Sequence, residues 1–211
     1  MTTPVRARPR RVDLARVREL IGRPDPAIEA KVLDHLDPYC QLFIAHSPYC
    51  VLATVGADGL ADCSPRGDDP GFVRVLDERT LVLPDRPGNQ LAQSFTNICH
   101  DPAIGMLFLV PGYAETLRVN GRAYPSDDPD LLPMLEARGR VPSLATVVEV
   151  EQAYLHCGKA NIRGGIWESG RQELAPLLPS GGVIAAAHIG MEGITAALLE
   201  DDLADDYQRN L

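Results

Sequence analysis

A series of short apolar runs, each closed by a turn, constrains this chain more than any other feature. Tyr49–Val55 is a dense run, Gly56-Ala57-Asp58-Gly59 reads as a hairpin turn, and Leu60–Cys63 returns. Phe72–Leu76 and Thr80–Leu83 form a second hairpin around Asp77-Glu78-Arg79, and Ala103–Val110 ends at Pro111-Gly112. Glu115–Tyr124 alternates, with Leu117, Val119, Gly121 and Ala123 on one face and Thr116, Arg118, Asn120 and Arg122 on the other. Ala145–Leu155 supplies a last strand. Helical spacing is interposed at Asn89–His100, through Leu91, Phe95 and Ile98, and a short helix is expected at Pro129–Arg138. Strands and turns without a repeating β-α-β order predict an antiparallel barrel decorated by helices, mainly β within the α+β class.

The two ends are helical and oppositely charged. Asp13 can cap a helix whose Leu14, Val17, Leu20 and Ile21 share a face, and Gly22 can end it. Asp25-Pro26 restarts the chain with a cap and a first-turn proline. Residues 1–36 thus read as a helical arm and 37–175 as the barrel. Residues 176–211 read as a linker (Pro176–Gly182) and an acidic amphipathic helix near Glu192–Gln208, all within one domain. Arg6, Arg8, Arg10, Arg11, Arg16 and Arg18 crowd the start, and Glu200, Asp201, Asp202, Asp205 and Asp206 the end. Two solvated termini account for this pattern, and so does an arm that meets the acidic tail within the protein or across a dimer. A net charge of −9 argues against a general nucleic-acid binder. No apolar run approaches the roughly 18 residues of a membrane span, and no charged-then-apolar segment opens the chain. The expectation is a cytoplasmic protein whose five irregularly spaced cysteines are free thiols, mostly buried.

The chemistry concentrates in Asp62–Asn89, where two strand-like segments each meet a polar turn carrying an arginine, Arg66 or Arg86. The second turn is expected to open directly into a helix. Guanidinium groups make charge-assisted, often bidentate contacts to phosphate, and free N–H groups at a helix start favour an anion. Ser64 can donate its hydroxyl to the same group, and Asn89 with the N–H groups after it can complete the cradle. Asp85 is awkward beside a phosphate; it caps the helix, orients Arg86, or faces the hydroxyls of a ligand. Neither G-x-G-x-x-G nor the Walker loop occurs, so a Rossmann reading loses its main support. Cys99-His100 and His156-Cys157 are adjacent pairs that offer a metal one good ligand each, so no metal is expected. A hydrolase triad lacks a nucleophile elbow.

Ser64-Pro65-Arg66-Gly67-Asp68, Pro84-Asp85-Arg86-Pro87-Gly88-Asn89 and Glu115-Thr116-Leu117-Arg118-Val119-Asn120-Gly121 resemble the FMN-binding split-barrel family related to pyridoxamine 5′-phosphate oxidase, from about Leu36 to Trp167. The P-D-R-P-G-N run is the mark of one branch. The resemblance implies a six-stranded barrel, a flavin mononucleotide (FMN) cofactor, and a homodimer with the flavin in the groove between subunits. It gives Ser64, Arg66, Gly67, Pro84, Asp85, Arg86, Gly88 and Asn89 to the cofactor. It also allows Arg118 and Asn120 to contribute from the second chain, although a polar surface stripe explains them equally. The run His156-Cys157-Gly158-Lys159-Ala160 lies near the flavin in the family. Lys159 would then stabilise the reduced ring, and Trp167 would shield it or be buried. The implied function is an FMN-dependent oxidoreductase acting on an unidentified small molecule, with no catalytic residue assigned. The alternative is a protein that holds flavin, haem or a deazaflavin without turnover. After Trp167 the tail departs from the Trp- and Arg-bearing segment of the true oxidases, so the resemblance supports the cofactor more than that substrate.

Overall fold

The computed structural model describes residues 9–210, so Arg6 and Arg8 lie outside the described residues. The described chain separates into two units, one up to Val32 and one from Leu33 onward.

The first unit holds α1 (Leu14–Ile21) and α2 (Pro26–Ala30). Asp13 accepts from the Arg16 N–H, and Gly22, at φ 79°, returns its N–H to the Arg18 carbonyl. Asp25 caps α2 through the Ala27 N–H, with Pro26 in the first turn. These starts and stops follow the sequence signals, and no side chain of either helix is buried.

The second unit opens with α3 (Pro38–His46), capped by Asp37. Seven antiparallel strands follow: β1 (Tyr49–Val55), β2 (Ala61–Gly67), β3 (Arg74–Asp77), β4 (Thr80–Pro84), β5 (Ala103–Leu109), β6 (Thr116–Ser126) and β7 (Ala145–His156). Their order in the sheet is β2-β1-β5-β6-β7-β4-β3. With the helices this is the α+β class expected, with seven strands in place of six; the four-residue edge strand β3 belongs to the count. The alternation read in the sequence is the alternation of the core. Cys50, Leu52, Ile104, Met106, Phe108, Leu117, Val119, Ala123 and Val148 are buried on one face, where α3 adds Ile44 and α4 (Gln93–His100) adds Ile98. Two buried polar side chains of the core are paired: Asn97 donates to Thr54 Oγ1 at 2.9 Å, and Ser47 Oγ lies within bonding distance of the Tyr49 and Leu109 carbonyls.

Several boundaries differ from expectation. β2 runs on to Gly67, so Ser64, Arg66 and Gly67 sit in a strand and not in a turn. Pro65 is tolerated because β2 lies at the sheet edge. Pro84 ends β4, and α4 begins only at Gln93, after a loop in which Gln90 and Ala92 take positive φ. Asn89 turns its side chain to the Leu91 N–H, which makes a local turn in place of a helix start. The helix expected at Pro129–Arg138 shrinks to a 3₁₀ turn over Leu132–Leu135. After α5 (Lys159–Gly164), residues Ser169–Leu177 form 3₁₀ turns. The C-terminal segment then folds as two packed helices where one was expected, α6 (Gly181–Ile189) and α7 (Ala196–Asn210). Gly182 permits the pairing, since a Cβ there would lie 2.6 Å from the Ala196 carbonyl oxygen. Of the five cysteines only Cys40 and Cys50 are buried, and burial pushes each thiol up to about 12. Cys63, Cys99 and Cys157 are exposed.

Candidate functional site

The register of β1 and β2 decides where Arg66 points. Cys50 pairs with Arg66 and Leu52 with Ser64, and residues directly opposite share a face. Both Arg66 and Ser64 therefore lie on the core-facing side of the sheet, towards α4. The Arg66 Nη2 donates to Ser94 Oγ, in the first turn of α4, at 3.1 Å. Its Nη1 lies 3.7 Å from the Asp85 carboxylate. The Nε of Arg66 is buried and has no hydrogen-bond partner. An orphaned donor on a guanidinium is costly unless an acceptor arrives. At the same place α4 starts without a side-chain cap: its N-cap is Ala92, at φ 50°.

Arg86 approaches from the loop after β4. Its Nε donates to Asp68 Oδ2 at 2.6 Å. Neither of its Nη groups has a hydrogen-bond partner among the described residues. The Asp68 side chain is only 3% exposed, and its Oδ1 also accepts from Arg138 Nη1 and the Asp69 N–H. Burial pushes the Asp68 carboxyl up, but the Asp69 N–H, Arg86 and Arg138 outweigh it and hold the group below the usual range. Asp85 goes the other way: burial raises it, and Arg66 and Arg86 only partly compensate. Asp85 does not cap α4, and the carboxylate that orients Arg86 is Asp68.

The remaining expected residues fall into three further groups. Gly67 ends the strand that carries Arg66 and Pro84 the strand that leads into Arg86, while Gly88 and Asn89 belong to the exposed loop before α4. Arg118 and Asn120 share one face of β6, as expected, but it is the face opposite Arg66, since Arg118 aligns with Leu107 and through it with Val51. There Arg118 lies over the Tyr154 ring, 5.4 Å from its centroid, and Asn120 donates to Gln152. Lys159 opens α5 and is exposed. That helix seats on the turn before β6, where Asn161 donates to the Ala114 carbonyl and the Trp167 indole to the Tyr113 carbonyl. Sequence reasoning missed Ser94, Arg138 and the part played by Asp68. Asp68 closes the Ser64–Asp68 motif, whereas Arg138 lies 70 residues further on and only the fold brings it near.

Among the described residues no group of three or more His, Cys, Asp or Glu gathers for a metal. The donor set at Arg66, Arg86, Ser94 and the α4 start suits an anion, phosphate above all. With the fold and this geometry in place, the chain belongs to the pyridoxamine 5′-phosphate oxidase family, whose N-terminal family model matches residues 36–157. Solved structures are similar to parts of the chain. HupZ of Group A Streptococcus aligns with TM-score 0.47 at 19% identity over 56% of this chain and 92% of its own. A putative pyridoxamine 5′-phosphate oxidase from Lactobacillus delbrueckii gives 0.44 and 22% over 58% and 95%. An FMN-binding protein from Syntrophomonas wolfei gives 0.45 and 10% over 55% and 81%. No curated protein sequence matches the chain.

Proposed function

We propose that this chain is an FMN-dependent oxidoreductase acting on a small molecule, in the branch of its family marked by Pro84–Asn89. The observation that carries the reading is the pair of arginines with unused donors, the buried Nε of Arg66 and the Nη groups of Arg86. FMN presents the group these donors fit, a terminal phosphate. Arg66, Arg86 and Ser94 would hold that phosphate with the N–H groups that open α4. Ser64, Gly67, Pro84, Asp85, Gly88 and Asn89 would shape the surrounding walls. When bound, FMN supplies the redox chemistry, taking electrons from a reduced donor and passing them to a small molecule or oxygen. Lys159 offers a cation suited to an electron-rich ring, and Trp167 a flat apolar cover.

A homodimer completes this reading. Val51, Ala53, Val55, Leu107 and Leu109 form a half-buried apolar stripe on the face of the sheet that carries Arg118 and Asn120. Pairing of that face with a second copy would cover the stripe and let Arg118 and Asn120 serve the partner's flavin. The setting proposed is cytoplasmic, where Cys63, Cys99 and Cys157 stay reduced. No helix among the described residues is long and apolar enough to cross a membrane.

An absorption spectrum of the purified protein, taken after FMN addition and desalting, tests the reading. Retained two-banded flavin absorption with quenched fluorescence is the expected result. A protein that releases FMN but retains haem, with its Soret band, or retains a deazaflavin would overturn it.

A further inference from the structure

We propose that Asp68 is a positioning residue: its buried carboxylate fixes Arg86 by Nε so that both Nη groups face the phosphate of the cofactor, with Arg138 as the buttress. This rests on the phosphate site proposed above. The backbone around Asp68 is anchored, since its N–H donates to the Pro48 carbonyl at 3.1 Å. The Asp85 N–H donates to the Leu144 carbonyl at 2.9 Å, which holds the chain just before Arg86. The Asp68–Arg86 bond thus ties together two loops that are each fixed to a different part of the sheet. Arg138 closes the network from a third segment, the tight turn in which Ala137 and Arg140 pair, and it adopts φ 50° there. A free arginine side chain loses rotamer entropy when it binds, and one already held by Nε loses less.

The sign of the charge effect makes the idea testable. A carboxylate next to a phosphate ligand repels it. If Asp68 acted only as a nearby charge, Asp68→Asn would tighten FMN binding and Asp68→Glu would leave it unchanged. Under positioning, both variants weaken it, because the amide loses the charge-assisted bond and the longer side chain displaces it.

Dissociation constants for FMN and riboflavin, read by flavin fluorescence on the full-length wild type, Asp68→Asn, Asp68→Glu and Arg86→Ala, decide the matter, with melting temperatures alongside. Expected is a roughly tenfold loss of FMN affinity in both Asp68 variants, the low end for residues that orient a ligand-binding group, with riboflavin affinity unchanged. Asp68→Glu keeps the buried charge and carries the test if Asp68→Asn does not fold. Tighter or unchanged FMN binding in the Asp68 variants, with Arg86→Ala weakened, would overturn the positioning role and leave the phosphate site standing. An equal loss for FMN and riboflavin would make Asp68 merely structural. Unchanged FMN affinity in Arg86→Ala would remove the phosphate site and the positioning role together.

Discussion

At the scale of single residues, the site is an exercise in unequal carboxylates. Asp68 and Asp85 both lie beside arginines, yet their acidities move in opposite directions. Asp68 is held low, so its contribution to stability is present above the ordinary value of 3.8 and is lost as pH falls through its lower folded value. Asp85 is raised, so the folded state holds its proton more tightly, and stability falls as pH rises from 3.8 through the higher folded value. Asp85→Asn should therefore melt above the wild type at neutral pH, and the gap should close as pH falls towards 3.8; thermal melts across this range check it, and a constant gap would contradict it. Arg86→Ala should weaken FMN binding by about 1.5–3 kcal/mol, the range for hydrogen bonds to a charged group, when measured by fluorescence titration. Both arginines were legible in the sequence because each stands among Pro and Gly in a polar stretch. Arg138 was not, since nothing local distinguishes it from the other arginines of an arginine-rich chain.

At the scale of elements, two glycines show how tightly the sheet and its neighbours meet. Gly121 sits at the bulge where β6 shifts register against β7, and a Cβ there would collide with the Glu149 carbonyl oxygen. Gly158 lies against Ala114, whose backbone carbon would be 2.7 Å from an added Cβ. Gly158→Ala should cost about 1–3 kcal/mol, the usual range for overpacking, as read by urea denaturation. It should also loosen α5, which carries Lys159. Strand periodicity was legible here because Leu117, Val119 and Ala123 alternate with polar neighbours and one face is buried. The start of α4 was less so: apolar spacing in Leu91, Phe95 and Ile98 extends the helix backwards, while the left-handed backbone at Gln90 and Ala92 ends it at Gln93. The extent of β2 was hidden by Pro65, which reads as a turn unless the strand is known to lie at an edge.

At the scale of the whole molecule, the apolar stripe on the outer face of β1 and β5 calls for a cover. Sedimentation equilibrium should give about twice the chain mass of 22.9 kDa, and Leu107→Glu, in the middle of the stripe, should give monomers. A monomeric wild type at micromolar concentration would contradict the proposed pairing and leave Arg118 and Asn120 without a role at the flavin. The claim on which everything functional depends is that Arg66 and Arg86 hold a phosphate, and the most direct measurement is the affinity of the wild-type protein for FMN against that for riboflavin, which differ in that group alone. FMN should bind at least roughly tenfold more tightly, the equivalent of about 1.4 kcal/mol. Equal affinities would mean that the two arginines serve some other purpose.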